Sequence, residues 1–334
     1  MSTIINISDL VVSYRMDGGD VFALDGVDFT ITRGERIGIV GESGSGKSTL
    51  GMAIGRLLAP NARFLRGDIR LVGQSILSCS ATELRQIRRD SLGFVYQNPM
   101  SALDPTMRVG RQVALALLGA PNATAIEALL SRVGLPDPAR AASSFPHELS
   151  GGMAQRVVIA LAIARDPVVL VADEPTASLD ASIQGVILDL LASLRDSIGA
   201  TLVILSHDLR MVAKRCERLA VMYGGRIVES GPSLQVFSDP RHPYTRALIK
   251  AAAGNEGPDD KLEPIPGVPA VLHGESRNCA YVERCEFDFS WTVSLWVPLL
   301  GSVAGALLAL AAGWWGLRDV LRRPVVETLR RAAA

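Results

Sequence analysis

The stretch Gly41-Glu42-Ser43-Gly44-Ser45-Gly46-Lys47-Ser48-Thr49 decides how this chain reads. It follows the apolar run Ile37-Gly38-Ile39-Val40 and opens a segment of helical pattern that ends before Pro60. Strand, glycine-rich loop and helix in that order satisfy G-x-x-x-x-G-K-[ST] in the setting the pattern requires. Glycines let the backbone turn sharply and aim successive N–H groups at a phosphate chain, where the start of the helix adds partial positive charge. Lys47 is then expected to reach the β- and γ-phosphates, and Ser48 to offer a hydroxyl to Mg²⁺.

Outward from this loop the chain alternates. Downstream, a helical pattern from Ser150 to Ala164 stops before Pro167, and Val168 to Ala172 is a continuous apolar run suited to a strand covered on both faces. Ile183, Val186, Ile187, Leu190, Leu191 and Leu194 form one apolar stripe at helical spacing, and Thr201 to Leu205 reads as another buried strand. Alternation of this kind implies a mostly parallel sheet with helices on its faces. Upstream, residues 3 to 32 interleave apolar and polar positions around a turn at Met16 to Asp20, the pattern of an antiparallel sheet. Between the halves lie short strands, a charged helical segment near Glu83 to Arg89, the strand Leu92 to Tyr96, and a helical stretch from Val109 to Val133 broken at Pro121. The expected class is α/β: a mostly parallel central sheet flanked by helices, an N-terminal antiparallel β subdomain, and a helical insertion over about 98–164.

Composition bounds the function. The chain has 334 residues with 34 basic and 34 acidic side chains, so it lacks the basic excess that nucleic-acid binders show. Its four cysteines are scattered except for Cys279 and Cys285, and no charged segment followed by an apolar core opens the sequence. Reduced thiols in a cytosolic setting are the expectation. One stretch stands apart: no charge occurs between Asp288 and Arg318, and 299–317 has about the length needed to cross a hydrocarbon core.

Binding a triphosphate is not hydrolysing it, so groups that hold metal and polarise water are needed. Asp173-Glu174 closes the apolar strand on the sheet edge where the phosphate loop sits, the edge at which open α/β sheets hold ligands. Asp173 is expected to bind Mg²⁺ through its water shell and Glu174 to act as general base. A helix-capping acidic pair would not explain the sequel Pro175-Thr176-Ala177-Ser178-Leu179-Asp180.

Leu149-Ser150-Gly151-Gly152-Met153-Ala154-Gln155-Arg156, placed upstream of that pair, resembles the signature sequence of ABC-type ATPases. The resemblance extends to Gln97 (the Q-loop), Asp180 (the D-loop), His207 (the switch histidine) and Tyr14, which matches the aromatic that stacks on adenine. It implies an ATP site from Tyr14 and residues 41–49, with Mg²⁺ held through Ser48, Gln97 and Asp173, and His207 touching the γ-phosphate. It also implies that Ser150, Gly151, Gly152 and Gln155 contact the ATP of an opposite subunit, so two ATPs lie between two head-to-tail domains. Helix starts favour anions, which gives the signature a physical reason to do so.

Ser-Phe-Pro-His-Glu-Leu-Ser-Gly-Gly-Met (144–153), Gln-Asn-Pro-Met-Ser-Ala-Leu-Asp-Pro (97–105) and Arg-His-Pro-Tyr-Thr (241–245) resemble the ATPase subunits of dipeptide, oligopeptide and nickel importers. That group implies two membrane permeases, a second ATPase subunit, an extracytoplasmic substrate-binding protein that acts indirectly, and a place on the cytoplasmic face of the membrane. A non-transport ABC ATPase is the rival class, usually carrying two cassettes or a long coiled-coil insertion. An importer subunit impaired in assembly by a rearranged C-terminus is a further alternative.

The end of the chain departs from the group. Cys279 and Cys285 supply two thiolates where a cluster or closed zinc site takes four ligands, so no complete iron–sulfur or zinc site is expected. Residues 1–252 are read as the ATPase domain, 253–288 as a linker with a truncated cysteine segment, and 289–334 as a hydrophobic helix with a basic tail. Gly301 and Gly305 form G-x-x-x-G, and Trp291, Trp296, Trp314 and Trp315 flank the apolar run as interfacial aromatics do. The arginines from 318 to 331 follow the run, which opposes the positive-inside tendency for a cytosolic ATPase. A helix anchored through 299–317 and a hairpin packed on protein are both compatible with this pattern. The segment 322–330 also resembles the cytosolic end of lipoprotein-release permeases.

Overall fold

A computed structural model describes residues 2–177, 179–253, 265–275, 278–285 and 296–321. Ser178, most of the linker, Trp291 and the basic tail beyond 321, each named above, lie outside the described residues. The chain divides into two units, Met1–Glu286 and Phe287–Ala334.

The first unit opens with β1 (Thr3–Met16) and β2 (Gly19–Thr32), then β3 (Arg36–Val40), α1 (Lys47–Ile54), β4 (Ala62–Leu71), β5 (Gln74–Ser75), α2 (Ala81–Ser91) and β6 (Leu92–Val95). Helices α3 (Pro99–Ala102), α4 (Val109–Ala116), α5 (Ala123–Arg132), α6 (Pro138–Ser143) and α7 (Gly151–Ile163) form the insertion. There follow β7 (Val169–Asp173), α8 (Ala181–Ile198), β8 (Thr201–Ser206), α9 (Leu209–Ala213), β9 (Arg218–Tyr223), β10 (Arg226–Pro232), α10 (Ser233–Ser238) and α11 (Pro243–Ala253).

Two sheets result. The antiparallel one runs β2-β1-β4-β5, and the six-stranded one runs β10-β9-β3-β8-β7-β6. In the latter β9, β3, β8, β7 and β6 are parallel, and β10 returns antiparallel on β9. The run Arg218–Tyr223, not assigned from the pattern above, is the strand that carries β10. Every residue of β7 and β8 is buried, as expected for strands covered on both faces. Alternation then sorts side chains between two cores: Leu170, Ala172, Leu202 and Ile204 face one, and Val169, Val171, Val203 and Leu205 the other.

Local chemistry fixes the ends of these elements. Ser80 and Glu83 make a reciprocal capping box at α2, and Gly199 closes α8 in the left-handed region at φ 66°. Asn122 caps α5 by accepting from the Ala125 N–H, so the helical pattern from 109 to 133 splits into α4 and α5 around Pro121. Val109, Val113, Leu129, Leu130, Val133 and Leu135 bury together and tie the insertion to α7.

The second unit contains α12 (Trp296–Leu321). Among the described residues no helix is long and apolar enough to cross a membrane. The structure therefore gives no support to the anchor that the sequence left open, beside a packed hairpin, at 299–317.

Removing a large side chain from a core covered on both faces leaves a cavity that rigid strands close poorly. Leu170→Ala is expected to cost about 2–5 kcal/mol, whereas Leu115→Ala, at a position 69% exposed, stays within about 0.5 kcal/mol. Denaturant melts of the two variants against the parent check this.

Candidate active site

Four connections leave the carboxyl ends of the parallel strands on one edge. β3 leads into the glycine loop, β6 into Gln97, β7 into Asp173-Glu174, and β8 into His207. Because β3, β8, β7 and β6 are consecutive neighbours, these four chain exits lie side by side. Sheet order alone thus gathers residues separated by more than a hundred positions.

The loop is shaped by its glycines. Gly46, the residue before α1, has φ 102°, and a Cβ there would stand 2.5 Å from the Ala23 carbonyl oxygen. Gly41 is constrained by contact instead, since a Cβ would come within 2.2 Å of the Met222 carbonyl oxygen. Between them Lys47 folds back, its Nζ donating to the Gly41 and Glu42 carbonyl oxygens, each at 2.8 Å, and to Ser45 Oγ at 3.4 Å. Burial lowers the pKa of this ammonium, while the charges of Glu174, Asp173 and Glu42 pull it back up.

Ser48 Oγ donates to Asp173 Oδ1 at 2.9 Å. Burial raises the Asp173 pKa, the Ser48 bond opposes that rise, Glu174 adds to it, and Lys47 lowers it. A buried carboxylate beside a hydroxyl is a hard oxygen pair of the kind Mg²⁺ prefers, and a cation there would compensate the buried charge. Gln97 does not join this pair: its Nε2 donates to Glu174 Oε2 at 3.2 Å. His207 Nδ1 lies 3.2 Å from the same oxygen.

Glu174 has a backbone feature the sequence did not announce. Its φ is 42°, in the left-handed region, and its N–H donates to the Leu205 carbonyl at 2.9 Å. Successive strand residues point to opposite faces, so a straight continuation of β7 would send Asp173 and Glu174 apart. The left-handed residue breaks that alternation at a conformational cost of about 1–3 kcal/mol, with Glu174 in the cleft lining and Asp173 held by Ser48 beside it.

The cleft measures about 370 Å³ and is lined by Ser43, Gly44, Gly46, Lys47, Ser48, Thr49, Gln97, Glu174, His207 and Ala23 of β2. Tyr14 is not in that lining; its hydroxyl lies 3.3 Å from Thr49 Oγ1, behind it. Ala23, at the N-terminal subdomain's edge, was missed by sequence reasoning, since a lone alanine in a strand carries no signal.

The signature residues lie outside the lining. Ser150 caps α7, its Oγ accepting from the Met153 N–H at 3.3 Å, with Gly151 exposed after it. A Cβ on Gly151 would meet Leu179 at 3.7 Å, so the D-loop flanks the signature in the same chain, and Asp180 follows, exposed, at the start of α8. Gln155 departs from the expectation that it faces a second subunit's nucleotide. It is fully buried, on the side of α7 that carries Val158 and Ile159 into the core, because positions three and four apart share a helix face.

Near the loop, Glu42 is gripped from the C-terminal side. Its N–H donates to Tyr244 Oη at 2.8 Å, and its carboxylate pairs with Arg284 at 2.8 Å. Cys279 Sγ lies 3.9 Å from His242 Nε2. Among the described residues no three His, Cys, Asp or Glu side chains are grouped to hold a metal.

Comparison with known proteins gives the family and the fold. The ABC transporter family pattern matches residues 24–177, and the oligopeptide/dipeptide transporter C-terminal region matches 228–290. The oligopeptide transport ATP-binding protein OppD of Bacillus subtilis is 40% identical over 296 residues, spanning 86% of this chain and 82% of that protein. OppD of Mycobacterium tuberculosis is 42% identical over 294 residues, 85% of this chain and 48% of that longer protein. Among solved structures, the dimeric post-hydrolysis cassette MJ0796 bound to ADP and Pi superposes with a TM-score of 0.61 at 30% identity, covering 69% of this chain and 98% of that one. CbiO1 of Clostridium perfringens, part of the cbiONQ transporter complex, gives 0.61 at 29% identity, covering 72% and 92%. A cleft lined by the phosphate loop, Glu174, Gln97 and His207, with Asp173 bonded to Ser48 beside it, on an ABC ATPase fold that carries that C-terminal region, leads to one conclusion: the chain belongs to the ABC transporter ATPases, in their oligopeptide/dipeptide group.

Proposed function

We propose that this ATPase energises the import of peptides or a related small solute, nickel included, by clasping a second ATPase subunit around ATP. The observation that carries the reading is the split between cleft and signature. Catalytic groups line the cleft, while exposed Ser150 and Gly151 and half-buried Gly152 lie outside its lining. A helix start whose first turn carries no acidic side chain is suited to another molecule's phosphate. The dimeric state of MJ0796 supports the same arrangement.

Within one cleft the residues divide the work. The glycine loop and Lys47 hold the phosphate chain, and Ala23 and Thr49 complete the lining around it. Ser48 and Asp173 would hold Mg²⁺, which supplies charge neutralisation on the phosphate oxygens. Glu174 takes the proton from the attacking water at its carboxylate. Gln97 and His207 both engage Oε2 and so orient that carboxylate. Gln97 also begins the connection to the helical insertion, so the group that senses the reacting water moves the segment proposed to touch a permease.

The partners follow from this reading: two membrane permeases, a second identical or similar ATPase, and an extracytoplasmic binding protein that acts through the permeases. The subunit then sits peripherally on the cytoplasmic side of the membrane. Nucleic acid has no place in the scheme, and the solute is chosen by the other chains.

Glu174→Gln is expected to bind ATP normally and to lose about 10²–10⁴-fold in turnover, measured as phosphate release beside ATP titration. A variant that hydrolyses at the parent rate removes Glu174 from the mechanism. Lys47→Ala loses charge-assisted bonds and is expected to weaken ATP binding about 10–100-fold. Ser150→Arg should leave ATP binding by the single chain intact while abolishing ATP-dependent dimerisation and hydrolysis; full activity in the reconstituted transporter would reject the clasp.

A further inference from the structure

We infer that residues 265–275 and 278–285 strap and pre-shape the phosphate loop, with Arg284 as the positioning residue that locks Glu42. The inference rests on the ATP-binding reading of the loop and adds a regulator of its affinity from 242 positions away.

Arg284 is 8% exposed and uses nearly all of its fork. Nη1 and Nη2 donate to the two carboxylate oxygens of Glu42 at 2.8 and 3.2 Å. The remaining bonds run to the Pro266 carbonyl from Nε at 2.7 Å, to the Ile265 carbonyl from Nη2 at 3.1 Å, and to Tyr223 Oη from Nη1 at 3.2 Å. Only a planar guanidinium satisfies a two-oxygen acceptor and three further acceptors from one position.

The grip passes directly into the cradle. Glu42 lies inside the glycine loop, its N–H is held by Tyr244 Oη, and its carbonyl accepts from Lys47 Nζ. One residue therefore receives Arg284 on its side chain, Tyr244 on its N–H and Lys47 on its oxygen. Tyr223, Tyr244 and Tyr281 pack mutually, with ring centroids 4.5, 5.1 and 5.3 Å apart, and fix the base on which Arg284 stands. The backbone bond from Phe22 N–H to the Leu272 carbonyl at 2.8 Å pins the strap to β2, close to Ala23 in the cleft lining.

A loop rich in glycine loses much conformational freedom when it wraps phosphate, and ordering it beforehand lowers that cost. Among the described residues Arg284 bonds to none of the cleft lining and reaches the loop through Glu42, so its effect belongs to affinity rather than to chemistry. The expected signature is a KM for ATP that rises while kcat at saturation holds.

The test uses the purified full chain. Arg284→Met is expected to raise the Kd and KM for ATP about three- to tenfold and to change kcat less than about twofold, with Arg284→Lys intermediate because it keeps charge without the fork. Glu42→Gln breaks the same link from the loop side and should weaken ATP binding by a similar factor, and the double variant should be no worse than either single one. Parent-like ATP affinity in a folded Arg284→Met, additive losses in the double variant, or parallel falls in kcat and melting temperature would each overturn the strap. Should Arg284→Met fail to fold, parent-like affinity in Glu42→Gln alone overturns it. A parent chain that binds no ATP would instead strike the ATP reading itself, a result distinct from all of these.

Discussion

A single buried ammonium sets the conditions for the rest of the site. Lys47 is 4% exposed, and a cation so far from water is tolerable only where dipoles and charges replace hydration. The loop carbonyls of Gly41 and Glu42 supply the dipoles, while Glu174, Asp173 and Glu42 supply the charges. Asp173 and Glu174 come within reach because β7 lies one strand from β3, across β8. Strand order, loop shape and charge balance are therefore one constraint seen at three scales.

The same constraint explains the unusual backbone at Glu174. Two adjacent carboxylates repel each other, and the pKa of Asp173 is raised by burial and by Glu174 together. Separating their duties relieves this: Asp173 is committed to Ser48, and Glu174 to Gln97 and His207. A left-handed residue at the strand end is what places them on different partners at one opening.

Much of this was legible in the sequence. The apolar runs that became β7 and β8 are continuous, as burial on both faces demands, and the loop, the acidic pair and His207 each follow such a strand. What did not show were features without a local cost or pattern. Glu174's conformation is imposed by its tertiary bond to Leu205, and no neighbouring glycine hints at it. Gln155 reads as part of a surface motif, yet its spacing to Val158 and Ile159 places it on the buried side of α7. Arg284 lies between two cysteines that draw attention to metal chemistry, whereas its partner is 242 positions upstream.

The contact between α1 and β8 has a mechanical meaning. Gly51 brings the helix that bears Lys47 so near the strand that a methyl there would strike Leu205 at 2.3 Å. Helix and strand thus meet with only the tip of the Leu205 side chain between them, and interiors packed this closely transmit displacement from one element to the next.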